Sequence, residues 1–235
     1  MSAPDPSADQ KRAAGEAAAA LVTDGMTVGL GTGSTAGWFV RALAERVKGG
    51  LTIKAGVPTS EATAALAREL GLPLQTLDEA RGIDLTVDGA DEIGPGLSLI
   101  KGGGAALLRE KLVWEASNRC VVIADAAKVV ETLGRFPLPI EVVAFGHRKT
   151  ANRILDVLMD HGIETPPKLR KKGDELVLTD GGNVVYDAAC QAIENPAALA
   201  ADLKGVTGVV EHGLFLDLAE EAIIGTDGGV ERILP

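Results

Sequence analysis

Three polar turns and one helix hold most of the residue types from which acid–base chemistry on a small anionic ligand can be built. The first turn is Gly29-Leu30-Gly31-Thr32-Gly33-Ser34-Thr35-Ala36. Its glycines let a ligand approach the backbone, and its hydroxyls and helix-start amides suit a phosphate or a polyhydroxylated group. That makes Thr32, Gly33, Ser34 and Thr35 candidate ligand contacts, while a plain strand-to-helix turn with Ser34 as N-cap would use the same residues. Gly31-x-Gly33-x-x-Ala36 also fits the dinucleotide fingerprint, but that site wants an acidic ribose ligand about 20 residues on. The second strand instead ends in Lys54-Ala55-Gly56-Val57-Pro58. No Gly-Lys-Ser/Thr closes the motif as a P-loop.

The second turn, Asp88-Gly89-Ala90-Asp91-Glu92, follows an apolar run expected to be a central strand. Ligands of open α/β sheets bind outside the carboxyl ends of strands, so Asp88, Gly89, Ala90 and Asp91 stand where chemistry usually sits. The carboxylate spacing fits no calcium loop and no histidine lies nearby, which argues against a metal; a solvated acidic turn is the plainer alternative. In the third turn, Lys101-Gly102-Gly103-Gly104, successive glycines before a helix imply bare amides or close backbone approach. A flexible linker is the competing reading, but linkers seldom interrupt a βα alternation.

Glu110 follows on the helix after that turn. Taking about 100° per residue, its neighbours four positions away are Ala106 and Trp114. A carboxylate among apolar groups is desolvated and its pKa rises toward that of a useful general base; a surface glutamate on a solvated face is the alternative. Lys128 lies just beyond the strand Val121-Val122-Ile123-Ala124. Alone it reads as a surface charge, but it falls at the same sheet edge as the three turns.

These residues need a frame, and the pattern from Gly29 to Ala124 provides one. Short β-branched runs alternate with alanine- and leucine-rich segments of helical length, the signature of a mostly parallel, Rossmann-like α/β sheet. Expected elements are helices over Ala8 to Thr23, Ser34 to Val47, Ser60 to Leu70 and Ala105 to Ser117, and strands over Met26 to Leu30, Leu51 to Ala55, Ile83 to Val87 and Cys120 to Ala124. After Phe136-Pro137-Leu138-Pro139 the texture changes. A helix near His147 to Asp160 and strands at Lys168 to Arg170, Leu176 to Thr179 and Asn183 to Tyr186 predict a smaller α+β unit of the ferredoxin-like, antiparallel kind. The tail, with Val209-Val210-Glu211 and Glu221 to Ile224, is expected to rejoin the first sheet. The predicted domains are 1–135 plus 209–235, carrying catalysis, and 136–208, serving oligomerisation.

Composition narrows the partners. With 235 residues, 46% of them hydrophobic, the chain can bury a large core. The 33 acidic against 23 basic residues, a net charge of −10, and only 3% aromatics argue against nucleic acid. Any anion site must then rest on particular lysines, amides and helix starts, and salt should modestly aid association with an anionic ligand. No apolar run approaches the roughly 20 residues of a membrane span. The start, Met1 to Pro6, is polar where a signal peptide would be basic and then apolar. Two well-separated cysteines, Cys120 and Cys190, suit buried free thiols in a cytoplasmic setting.

Taken together, the segments Gly31 to Ala36, Asp88 to Ile93, Lys101 to Leu107 with Arg109-Glu110-Lys111, and Ala124-Asp125 to Lys128 closely resemble the type A ribose-5-phosphate isomerases. The likeness continues through Gly134 to Val142, Asp180 to Val185 and Gly213 to Thr226. The resemblance implies interconversion of D-ribose 5-phosphate and D-ribulose 5-phosphate in the non-oxidative pentose phosphate pathway, without metal or organic cofactor. It places the family's base on Glu110 and its substrate loops on Thr32 to Thr35, Asp88 to Asp91 and Lys101 to Gly104, with Lys128 a further ligand. It implies a homodimer, some members pairing again into tetramers. The chemistry expected on that basis is proton transfer through a cis-enediolate, with Lys101 and the glycine amides opposing the growing charge, Asp88 opening the sugar ring and Asp91 positioning hydroxyls. A sugar-phosphate sensor is the rival of another class, but the roughly 25 residues before the first strand are too few for a DNA-binding helix-turn-helix. A CoA-transferase or an amino-sugar phosphate deaminase on a related fold is disfavoured by the set Asp88, Asp91, Lys101 and Glu110.

Overall fold

A computed structural model describes residues 7–235, and the polar start Met1 to Pro6 lies outside them. In chain order, α1 (Ala8–Ala19), β1 (Thr27–Leu30), α2 (Ser34–Lys48), β2 (Ala55–Pro58) and α3 (Glu61–Glu69) lead to β3 (Leu85–Gly89). Two short strands, β4 (Glu92–Ile93) and β5 (Leu99–Ile100), precede α4 (Leu107–Glu115) and β6 (Cys120–Asp125). Then come β7 (Leu138–Val142), α5 (His147–Asp160), β8 (Lys168–Leu169), β9 (Lys171–Lys172), β10 (Glu175–Leu176), β11 (Val184–Ala188) and α6 (Pro196–Lys204). The last strands are β12 (Val209–His212), β13 (Leu214–Phe215), β14 (Glu221–Thr226) and β15 (Gly229–Ile233).

The chain forms two compact units. One holds the residues up to Ala90, Arg109–Val129 and Leu218–Pro235; the other holds Asp91–Leu108 and Val130–Asp217. In the first, a six-stranded sheet runs β15-β14-β6-β3-β1-β2, parallel except for β15 at one edge. Strands β1 and β6 are buried along their whole length, which is why neither alternates apolar with polar residues. Helix α2 buries Phe39, Val40 and Leu43 on one stripe against Val28, Leu30 and Leu85. Its Arg46 guanidinium donates to the Ala19 and Val22 carbonyls, closing the end of α1 where the backbone donors run out.

The second unit carries an antiparallel sheet, β12-β7-β11-β8, with a three-stranded sheet β13-β5-β4 and the β9–β10 pair. Ile154 and Leu158 of α5 and Leu199 and Leu203 of α6 share a core with Ile140, Val142, Val184 and Tyr186. This is the expected α/β architecture with a smaller antiparallel unit.

Several local expectations change. The second strand begins at Ala55 rather than Leu51, because the preceding residues are engaged with the residues around the start of β1: Thr52 N donates to Asp24 Oδ1 and Lys54 N to the Met26 carbonyl. The tail splits. Glu221–Thr226 joins the first sheet beside β6, but Val209–His212 pairs with β7 in the second unit. Gly213 holds it there, donating to the Pro139 carbonyl and accepting from Lys101 N. The compact division accordingly falls at different residues from those composition suggests: 91–108, 130–135 and 209–217 go with the second unit, since Leu214 and Phe215 pair with Ile100 and Leu99.

Cys120 and Cys190 are both free and buried. Burial, with the Glu220 carboxylate adding to it, pushes the Cys120 thiol up to about 12, and burial pushes Cys190 to about 11. Both thiols should therefore resist an aromatic disulfide reagent at about pH 8 while the protein is folded and react in denaturant. Because the unfolded thiols ionise first, near 9, stability should be unaffected below that value and fall as pH climbs through it toward the folded values. Rapid labelling of the native protein at about pH 8 would contradict this assignment.

Candidate active site

The parallel strands of the first unit all end at one edge, and the loops there carry Thr32 to Thr35, Asp88 to Ala90 and Lys128. β1 runs into Gly31 to Gly33, β2 into Thr59 and Ser60, β3 into Ala90, and β6 into a 3-10 turn, Ala126–Lys128.

Asp88 is fully buried at the end of β3. Its Oδ1 accepts from the backbone amides of Thr32 at 2.9 Å and Gly89 at 2.7 Å. The β1 loop is thereby fastened to the acidic turn, and one carboxylate oxygen has a fixed position. Gly31 makes this packing possible: a Cβ there would stand 2.2 Å from Asp88 Oδ1 and 2.5 Å from its Cα.

The Thr32 hydroxyl is engaged inside the protein. It meets Thr59 Oγ1 at 2.7 Å, Ser60 Oγ at 2.8 Å and Thr63 Oγ1 at 3.1 Å. Thr63 Oγ1 donates back to the Gly31 carbonyl at 2.9 Å, and Ser60 caps α3 by accepting from Thr63 N. Sequence reasoning missed this cluster, although a serine such as Ser60 directly before a helical run is an N-cap signal. Ser34 is not the N-cap of α2: Gly33, at φ 109°, holds that position, and Ser34 is exposed as the first helical residue. Thr35 is buried.

Glu110 is 4% exposed. It lies on the face of α4 that buries Val113 and Trp114, whereas Leu112 is turned to solvent, so the solvated-face alternative does not hold. The adjacent Arg109 forms an ion pair at 2.9 Å with Glu61, the first residue of α3. This ties α4 beside the hydroxyl cluster. A cavity of about 610 Å³ also opens here, lined by Ser60, Glu61, Arg68, Gln75, Arg109 and Leu112. None of Thr32 to Thr35, Asp88 to Ala90 or Glu110 lines it, so the cavity and the predicted loops are separate features.

Lys128 is half-buried in the 3-10 turn, which Asp125 caps by accepting from Ala127 N at 3.2 Å. Lys11, which sequence reasoning did not single out, brings its Nζ to 3.9 Å from Asp125 Oδ2.

The remaining predicted residues belong to the second unit. Lys101 is 2% exposed, with Nζ 5.3 Å from the centre of the Phe215 ring, a cation–π contact that holds the ammonium in place. Gly102 has φ 111°, a conformation side chains resist, and the turn closes with Ala105 N donating to the Gly102 carbonyl at 2.9 Å. Asp91 Oδ2 accepts from Gly103 N at 2.8 Å. Arg170 Nη1 donates to the carbonyls of Gly102 at 2.8 Å and Gly103 at 3.1 Å. Glu92 is committed elsewhere, accepting from the amides of Gly134 and Phe136 at 2.7 and 2.5 Å. Each carboxylate of the acidic turn is thus bound by backbone amides. Among the described residues, no group of three or more His, Cys, Asp or Glu side chains is placed to hold a metal ion. Nor is any helix among them long and apolar enough to cross a membrane.

An open α/β sheet whose carboxyl edge carries amide-bound acidic groups and a hydroxyl-braced glycine turn, with a buried glutamate on the adjoining helix, has the groups that acid–base chemistry on a small molecule requires. The family model for Ribose 5-phosphate isomerase A (phosphoriboisomerase A) matches residues 55–229. A ribose-5-phosphate isomerase A of Caulobacter vibrioides is 68% identical over 227 residues, covering 97% of this chain and 98% of that protein. The ribose 5-phosphate isomerase structure from Plasmodium falciparum superposes with a TM-score of 0.92 at 34% identity, over 97% of this chain and 99% of that one. A D-ribose-5-phosphate isomerase in complex with phospho-erythronic acid gives 0.90 at 37% identity, over 97% and 98%. The chain belongs to the ribose 5-phosphate isomerase A family.

Proposed function

We propose that this protein interconverts D-ribose 5-phosphate and D-ribulose 5-phosphate, with Glu110 as the base that carries the proton. The observation that supports the role most directly is the burial of Glu110, at 4% exposure, on a helix otherwise buried through Val113 and Trp114. In the open-chain sugar, Glu110 removes the proton from C2 and returns it to C1. The O2 hydroxyl proton passes to O1, so atoms and charge balance across the cis-enediolate. Negative charge collects on the carbonyl oxygen meanwhile, and fixed donors lower that barrier most when they are in place beforehand. Lys101 and the amides of Gly102 and Gly104 fill that role in this reading, the Gly103 amide being held by Asp91. Asp88, its Oδ1 held by two amides, acts in ring opening, and Asp91 positions hydroxyls. Gly33, Ser34, Thr35, Gly89, Ala90 and Lys128 contribute the rest of the cradle. Thr32 contributes by fixing the loop, since its amide is held by Asp88 Oδ1 and its hydroxyl by the Thr59, Ser60 and Thr63 cluster.

The test is isotope exchange. Ribose 5-phosphate incubated with the protein in D₂O should gain deuterium at the carbon next to the carbonyl and yield ribulose 5-phosphate, without added metal or organic cofactor. Absence of both label and product would overturn the assignment. A homodimer in the cytoplasm accompanies this reading, and sedimentation equilibrium showing only single chains would remove the dimer.

Lys101→Ala should weaken both substrate binding and turnover, lowering kcat/KM by about 10²-fold, as when one charge-stabilising donor is deleted. If melting temperature fell while kcat/KM stayed put, Lys101 would be a structural residue seated on Phe215.

A further inference from the structure

The turn proposed to stabilise the enediolate holds only part of its own shape, through the bond from Ala105 N to the Gly102 carbonyl. Three glycines in succession have the widest conformational freedom of any such run, so something outside it must fix the peptide planes. The structure offers Arg170, a residue at the end of β8 whose own amide is anchored to the Val185 carbonyl at 2.8 Å. Its guanidinium is used on both edges. Nε and Nη2 grip the two oxygens of Asp187 on β11, at 2.9 and 2.5 Å, and Nη1 reaches the carbonyls of Gly102 and Gly103. Both side chains are largely buried, at 14% and 25% exposure.

Peptide geometry turns this clamp into a statement about donors. The described chain has no cis peptide bonds, so each N–H points opposite to the carbonyl of its own peptide plane. Holding the carbonyls of Gly102 and Gly103 toward Arg170 therefore turns the amides of Gly103 and Gly104 away from it. The Gly103 amide is received by Asp91 Oδ2. The Gly104 amide has no acceptor among the described residues. A backbone donor without an acceptor, fixed in direction by a buried guanidinium, suits an oxygen whose negative charge grows during reaction.

We propose that Arg170, held by Asp187, is a positioning residue for the isomerase reaction: it orients the Gly102–Gly104 turn so that the Gly104 amide meets the anionic oxygen of the enediolate. This rests on the isomerase reading above. The pair is invisible to local sequence inspection, because its members lie 17 positions apart on separate strands. The bidentate grip and the reach to two carbonyls both depend on the planar fork of arginine, so a lysine of equal charge cannot reproduce them.

Two variants test it, Arg170→Lys and Asp187→Asn, with the wild-type protein assayed in the same series. Measured for each are kcat and KM for ribose 5-phosphate, the inhibition constant of phospho-erythronic acid, whose carboxylate imitates the enediolate charge, and the melting temperature. Arg170→Lys should lower kcat at least about tenfold, with KM changed only a few-fold and the inhibitor weakened by a factor similar to the loss in kcat. Asp187→Asn should show the same pattern to a smaller degree. Wild-type kcat and inhibitor affinity in both folded variants would overturn the proposal. So would activity lost only in proportion to unfolded protein, judged by near-ultraviolet circular dichroism. A wild-type protein that fails to interconvert the two sugars would overturn the isomerase reading itself, and is distinguished because that measurement needs no variant.

Discussion

Glu110→Gln is expected to lower kcat by at least ~10², with the KM for ribose 5-phosphate within a few-fold of wild type. Glutamine keeps the size of the side chain and its place beside Val113 and Trp114, but its amide cannot take a proton from carbon. The loss should therefore fall on the chemical step while the phosphate and hydroxyl contacts survive. Deuterium uptake at the exchanging carbon should decline by the same factor as turnover, because one group is proposed to serve both directions of transfer. Melting temperature should not fall substantially, since a neutral amide costs less to bury than a carboxylate. Near-normal turnover in this variant would remove Glu110 from the role of base.

Gly31→Ala should damage stability and activity together. The added methyl would stand 2.2 Å from Asp88 Oδ1 and 2.5 Å from the Asp88 Cα. A side-chain rotation relieves the first contact but not the second, so β1 and β3 must move apart where they pair through Leu30 and Val87. Overpacking of this kind costs about 1–3 kcal/mol, or a fall in melting temperature of roughly 2–4 °C for each kcal/mol in a chain of this size. Displacing Asp88 also breaks its bonds to the amides of Thr32 and Gly89, and kcat/KM should drop by at least about 10²-fold, as when a placed catalytic group is shifted by about 1 Å. Thermal melts and steady-state kinetics on the purified variant check both. Unchanged values would mean that the β1 loop yields freely and that Gly31 is not what sets the approach.

Much of this was legible in the residues because it is local. Continuous apolar runs such as Val121 to Ala124 announce strands buried on both faces, and Gly49 and Gly71 mark where helices stop. The turns around Gly31, Asp88 and Gly102 stand out by composition alone. What the sequence concealed is pairing at a distance. Strands β4, β5 and β13 are two residues each, too short for any periodicity, and they exist because they satisfy one another's backbone groups. Val209 to His212 has the texture of a strand for either sheet, and only the bonds made by Gly213 decide which. Thr32 resembles a ligand residue, but its hydroxyl is occupied by three others that the chain supplies 27, 28 and 31 positions later. Periodicity alone leaves Glu110 equally open to surface and interior, and the packing of α4 buries it.

The chain passes between the two compact units at Ala90, Leu108, Val129 and Asp217, so neither unit is a continuous stretch of polypeptide. The strand that lies between β6 and the edge strand, β14, is supplied by Glu221–Thr226, beyond the long Val130–Asp217 segment of the second unit. During synthesis β6 must therefore wait with an open hydrogen-bonding edge until the intervening Val130–Asp217 of the second unit has been made. A nascent chain arrested before Glu221 would display that edge to other chains, and premature termination in this protein should yield aggregates and not a smaller working enzyme.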